Sequence, residues 1–256
     1  FKGKQCFPFL FEKKLKTKRN NSNTITFAYQ ILIMKNVLLN FKAKINRKLF
    51  VKDPETSELG QNILKNSIIL IDEIGFEAFT FKKLGEKIQS NESSIYRYFE
   101  NKHKLLVYLS SWYWSWMEYR MVFATANIQN PITKLEIAIK LVTDNVIDDT
   151  ATPHIDEQIL NKIIIKEFTK TLMTKEVDSE NKEGFFLVYK RVINRIEIII
   201  EEVNPAYPFA KSLASSVVEG TLHQHFLKDH LKTITNLSDQ DCATEFYLDM
   251  IKKTLL

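Results

Sequence analysis

Thr80-Phe81-Lys82-Lys83-Leu84-Gly85-Glu86-Lys87-Ile88, a four-residue break, then Ser93-Ser94-Ile95-Tyr96-Arg97-Tyr98-Phe99-Glu100-Asn101-Lys102 is the stretch whose reading decides the fold. It predicts two very short helices joined by a tight turn. Thr80 suits the N-cap of the first helix, where a hydroxyl accepts from a free backbone N–H. Leu84 and Ile88 fall four apart on one face, which must be buried. Asn91 is the natural N-cap of the second helix, and Ile95 and Phe99 repeat the spacing, so this helix too has a single apolar edge. Its other edge carries hydroxyls, phenols and cations and is free for a partner.

Upstream, Glu58 to Ile74 reads as a longer amphipathic helix, with Leu64, Ile68 and Ile71 in one line and Ile63, Leu70 and Ile74 widening it. Gly75 follows at once and suits a left-handed cap, with Phe76 folding back onto Ile71. Three helices in this order fit helix-turn-helix geometry. There a first short helix crosses a sugar-phosphate backbone and the start of the second reaches base edges in the major groove.

The run from Leu64 to Leu106 resembles the N-terminal DNA-binding domain of the TetR family of bacterial transcriptional regulators. The resemblance is carried by the glycine after the first helix, by Phe79-Thr80-Phe81-Lys82-Lys83-Leu84, and by Ser94-Ile95-Tyr96-Arg97-Tyr98-Phe99-Glu100-Asn101-Lys102. It implies that Thr80, Tyr96, Tyr98 and Lys102 contact phosphates, and that Ser93, Ser94 and Arg97 sit at or near the groove. With Lys82, Asn91 and Glu92 these make the candidate DNA-binding set. Tyr96 and Phe99 could also be core, and we assign Phe99 there. Lys82, Lys83 and Lys87 suit an ordinary solvated face equally well. The family usually has glycine and then a small apolar residue in the turn, where this chain has Gln89 and Ser90. Glu92 replaces a frequent cation; its carboxylate repels phosphate but can accept from cytosine N4, or simply favour the positive helix terminus. His103 stands where an acidic residue is common.

The chain has 256 residues and a net charge of +5, enough length for two domains. Charge is unevenly placed: seven cations against one anion in residues 1–33, fourteen against ten in 34–121, and fifteen against twenty in 122–256. The basic excess lies where nucleic acid would bind, and the acidic C-terminal part would be repelled by it. Residues 1–33 begin at Phe1 and hold the run Lys13 to Arg19, and we expect Met34 to be the native start with a poorly ordered basic extension before it. The apolar patch Ile25–Met34 is far too short for a bilayer and lacks a signal-peptide cleavage pattern. Residues 34–55 form a lead-in arm. Phe41, Ile45, Leu49 and Phe50 suggest an amphipathic helix there, and its cations could pack on the domain or lie on DNA.

Beyond Lys102 the sequence predicts helices over Lys104–Ala126, Pro131–Asp148, Ile155–Thr171, Glu183–Val203, Tyr207–Leu231 and Ser238–Leu256. Nothing alternates at period two, so the fold is expected to be all-α: a three-helix DNA-binding domain over 56–106 and a larger helical effector-binding and dimerisation domain over 107–256. The aromatic run Trp112-Tyr113-Trp114-Ser115-Trp116 suits core packing, or a pocket wall made by some of Trp116, Tyr119, Phe123, Phe168 and Tyr189. In the family this helix joins the two domains, and a ligand that moves it alters the spacing of the recognition helices. The last two helices, with Phe209, Leu213, Val217, Leu222, Phe226, Phe246, Met250 and Ile251, would by resemblance form a four-helix dimer interface.

His223 and His225 lie on opposite sides of a helix, and Cys6 and Cys242 are isolated, so we expect no metal, no cofactor and a reducing cytoplasm. No phosphate loop, nucleophile elbow or dinucleotide fingerprint occurs, and an enzyme is not expected. The expected function is a homodimeric, sequence-specific transcriptional regulator, a repressor, that binds double-stranded operator DNA and answers to a small-molecule effector, with no membrane partner. The alternative is a helical protein-interaction module with a degenerate DNA-binding domain, motivated by Gln89 and Glu92.

Overall fold

A computed structural model of the protein describes residues 41–146, 152–238 and 243–256. The expectations placed on residues 1–33, on Met34 and on the cysteines Cys6 and Cys242 lie outside these residues. Among the described residues every regular element is a helix.

The lead-in arm is not the expected amphipathic helix. Its described part is irregular from Phe41 to Asn46 and then makes two short 3-10 turns, Arg47–Leu49 and Pro54–Thr56, capped by Asn46 and Asp53. Tertiary contacts override the local pattern. Leu49 is fully buried, Phe50 meets Tyr108 edge-on at 6.0 Å, and Phe41 meets Trp112 edge-on at 5.6 Å. One helical face could not serve such scattered neighbours, and an isolated helix of this length is marginal in any case.

α1 spans Glu58–Ala78, with Ser57 accepting from the Gly60 N–H at its start. Ile63, Leu64, Ile68, Leu70 and Ile71 are buried as predicted, whereas Ile74 is 38% exposed. At Gly75 the helix breaks, with φ 76° and ψ 156°. That is not the left-handed cap expected but an extended conformation essentially restricted to glycine. Phe76 is buried beyond the break and stacks on Phe79.

α2 (Phe81–Lys87) and α3 (Glu92–Tyr96) follow, then α4 (Lys102–Thr125), started by Asn101 accepting from the Lys104 N–H. α4 is buried on all sides from Leu105 to Glu118, so it is the axis of the molecule and not a surface helix. Around it lie α5 (Pro131–Thr143), α6 (Glu157–Leu172), α7 (Val177–Lys182), α8 (Leu187–Val203), α9 (Ala210–His230) and α10 (Ala243–Leu255). α5 ends five residues before the predicted end, and α7 was not predicted. α8 stops before Asn204-Pro205 as expected. Ser238, the expected cap of the last helix, is irregular; residues 239–242 lie outside the described residues, and the helix is described from Ala243. α8 lies against α9, α5 and α4, while α6 bridges α1, α4 and α9. The buried side chains form one continuous cluster from Leu49 to Leu255.

The proposed dimer face divides in two. Leu213, Val217, Leu222 and Ile251 belong to this core because α9 and α10 each turn one edge onto the neighbouring helices. Phe209 and Phe246 are left 62% and 49% exposed. A buried polar set ties three helices together: Thr143 Oγ1 donates to the Ile139 carbonyl and stands 2.8 Å from Thr244 Oγ1, and the Thr143 carbonyl accepts from His225 Nε2.

Candidate nucleic-acid interface

The Thr80 hydroxyl accepts from the Lys83 N–H at 3.2 Å, starting α2 as its sequence predicts. Leu84 and Phe81 are buried, which leaves Lys82 and Lys83 outward, with Lys83 Nζ donating to the Ala78 carbonyl. Lys87 is not a free cation, since it pairs with Glu73 at 2.8 Å. The turn brings backbone onto backbone. A Cβ on Gly85 would stand 2.7 Å from the Ser90 carbonyl oxygen, so that residue must be small. Gln89 adopts φ 53° and is the one non-glycine with positive φ among the described residues. Asn91 occupies the N-cap of α3, but its side chain makes no capping hydrogen bond.

α3 is anchored by Ile95 and followed by Phe99, both fully buried. Its opposite edge faces out: Ser93, Tyr96 and Arg97 are exposed, and Glu92 and Ser94 are half-buried. Tyr96 is 49% exposed and rests edge-on against Phe81 at 5.0 Å, which orients the ring and leaves the hydroxyl end free.

Two residues of the candidate set depart from this surface. Tyr98 is 3% exposed, and its hydroxyl is held 2.8 Å from Ser57 Oγ with Lys52 Nζ at 3.4 Å. The Ser57 bond, helped by Lys52 and working against burial, lowers the tyrosine's pKa. Lys102 donates to the carbonyls of Phe76, Glu77 and Phe79 at 3.0, 3.0 and 3.2 Å and lies over the Phe76 ring. With three donors on three carbonyls, this ammonium closes the end of α1 and is not presented to a phosphate. Sequence spacing could not show this, because the acceptors exist only once Gly75 has broken the helix.

Residues 63–109 match the sequence profile described as bacterial regulatory proteins, tetR family. The matched stretch holds most of α1, all of α2 and α3, and the start of α4. No curated protein sequence matches it. Among solved structures the whole fold is similar to AibR in complex with isovaleryl coenzyme A and operator DNA, at 17% identity and a TM-score of 0.50, over 76% of this chain and 98% of that one. It is also similar to the superantigen PfiT, at 13% identity and a TM-score of 0.52, over 80% and 98%. The tetR-family regulator PfmR from Thermus thermophilus shares 12% identity over 75% and 96%, with a TM-score of 0.49. At these identities the likeness is one of fold.

The matched stretch and α4 are joined to the remaining helices by named contacts. Glu167 of α6 accepts from the Phe76 N–H at 3.4 Å and pairs with Lys170 at 2.8 Å, and Lys170 pairs also with Glu77 at 3.0 Å. His103 Nε2 stands 2.8 Å from Glu180 of α7. Glu118, on α4, meets Arg191 and Arg195 of α8; burial opposes its charge, but the two guanidiniums more than offset that and hold its carboxyl below the usual range.

The expected aromatic pocket does not assemble. Tyr119 lies against Phe123 and Phe41, Phe168 against Tyr189, and Trp116 is buried beside Tyr113 with Arg120 over its ring. Trp116, the Tyr119–Phe123 pair and the Phe168–Tyr189 pair, drawn from three different helices, each have their own ring neighbours, and so do not make one wall. An open cleft of about 900 Å³ instead lies between the arm, the start of α1, residues 152–154 and Trp112. No helix is long and apolar enough to cross a membrane, and no group of three or more possible metal ligands occurs, both among the described residues.

Proposed function

We propose that this protein is a sequence-specific transcriptional regulator, a repressor, that binds operator DNA as a homodimer and is modulated by a small molecule. The observation that carries the reading is the outward polar edge of α3, Ser93, Ser94, Tyr96 and Arg97, fixed by the buried Ile95 and set beside the capped Thr80. Short hydroxyls there reach base edges with Arg97 at the groove, while Tyr96 sets register on a phosphate. AibR, whose fold is similar, has been solved with operator DNA and isovaleryl coenzyme A, and this supports the reading.

In this reading residues 56–106 read DNA and residues 107–256 hold the effector and the partner copy, with α4 crossing between them. The cleft beside Trp112 has the volume of a small-molecule site, and it lies across the boundary between the two units, walled by the arm, the start of α1, Trp112 of α4 and residues 152–154. An occupant would therefore touch α1, the helix that α2 packs against. Selection of bound duplexes from a genomic library tests the proposal. Recovered fragments should share two related half-sites about one helical turn apart. Recovery with no shared sequence would favour the interaction module that Gln89 and Glu92 suggest.

A further inference from the structure

The lead-in arm is built onto the recognition unit at a fixed register. Leu49 is fully buried, Phe50 meets Tyr108, and the Val51 N–H donates to the Tyr98 carbonyl at 2.8 Å. The next residue, Lys52, is exposed, with Nζ 3.4 Å from the Tyr98 hydroxyl and 5.1 Å from the ring centroid. Arg97, at the end of α3 and adjacent in sequence to Tyr98, is exposed as well. Neither cation has an ion pair with a carboxylate among the described residues. Lys102, by contrast, is fully engaged by carbonyls.

We propose that Lys52 is a DNA-phosphate contact, delivered by the arm to the flank of α3 beside Arg97, where it supplies the cationic contact that Lys102 does not. Tyr98 is the positioning residue: its buried ring and its hydroxyl, braced by Ser57, hold the ammonium in place. This rests on the DNA-binding reading above. An ammonium that neutralises one phosphate releases about one condensed counterion, so its loss appears as a change in salt dependence, which a purely structural role would not produce.

The test is binding of the full chain to a labelled duplex of mixed sequence, followed by anisotropy from about 50 to 200 mM salt. Lys52→Gln should flatten the slope of log affinity against log salt by about 0.9 for each copy engaged, and weaken binding about fivefold per copy near 0.15 M. Lys52→Arg should restore the slope. Lys253→Gln, which removes a cation from α10, should leave it unchanged. If Lys52→Gln proves less stable, the Lys52→Arg variant carries the comparison, because it keeps the charge while altering the contact with Tyr98. A wild-type chain that binds duplex with a slope identical to that of Lys52→Gln overturns this inference alone. A wild-type chain that binds no duplex overturns the DNA-binding reading and this inference with it.

Discussion

Lys102 and Thr80 sit at opposite ends of what a sequence can reveal. The Thr80 cap is closed by an N–H three residues away, so residue type and spacing suffice to foresee it. Lys102 finds its acceptors 23 to 26 residues upstream, and Tyr98 finds Ser57 at a separation of 41, so neither role is legible without the fold. Removing the ammonium should leave three carbonyls short of a donor. We predict that Lys102→Met lowers stability by about 2 kcal/mol in urea titration, in line with charge-assisted hydrogen bonds that are partly solvated. An unchanged midpoint would show that water replaces the lysine without penalty. On the DNA side, Tyr96→Phe should weaken binding to all duplexes alike, and Ser94→Ala should change which sequences are preferred. Selection from a random library with each variant separates the two, and equal relaxation by both would contradict the division of roles.

Among the elements, the turn between α2 and α3 is the place where local chemistry and fold disagree. Glycine stands at position 85, where the Ser90 carbonyl crowds it, while the left-handed residue is Gln89. A side chain with a Cβ costs about 1–2 kcal/mol in that conformation, offset in part by the extra freedom glycine has when unfolded. Gln89→Gly should therefore raise the melting midpoint by an amount equivalent to about 0.5–1 kcal/mol, and a fall would mean that the glutamine makes compensating contacts. Helix existence was legible along most of the chain because caps and prolines are local signals. The arm was misread because its apolar residues serve separate neighbours, and the aromatic helix because burial on all sides erases the periodicity that tells a pocket wall from a core. α9 carries a pH-sensitive contact. Burial lowers the pKa of His225 against the opposing pull of the Thr143 carbonyl, so the folded protein binds its proton less readily than the unfolded chain. Its contribution is complete above the unfolded value of 6.5 and is lost as pH falls below it. His225→Gln should flatten that part of the stability profile, and an unaltered slope would place the effect elsewhere.

At the scale of the molecule, α6 and α7 hold the proposed DNA-reading unit through Glu167, Lys170 and the His103–Glu180 contact, so its orientation is set by the same helices that surround α4. The exposed edge of α9, Phe209, Ser212, Ser216, Glu219 and His223, steps by three and four residues, the spacing of a seam that pairs with another helix. Phe246 of α10 is exposed as well, and the proposed two-fold partner would cover these side chains. Sedimentation should give twice the 30.0 kDa of one chain, and Phe209→Asp together with Phe246→Asp should shift it to the single mass. A wild-type chain that sediments as a monomer would remove the two-fold partner. The most direct measurement sets the DNA upstream of the protein's own gene against random duplex in competition at moderate salt. A preference of order a thousandfold is predicted for a reader of base edges, and equal binding of the two would contradict it.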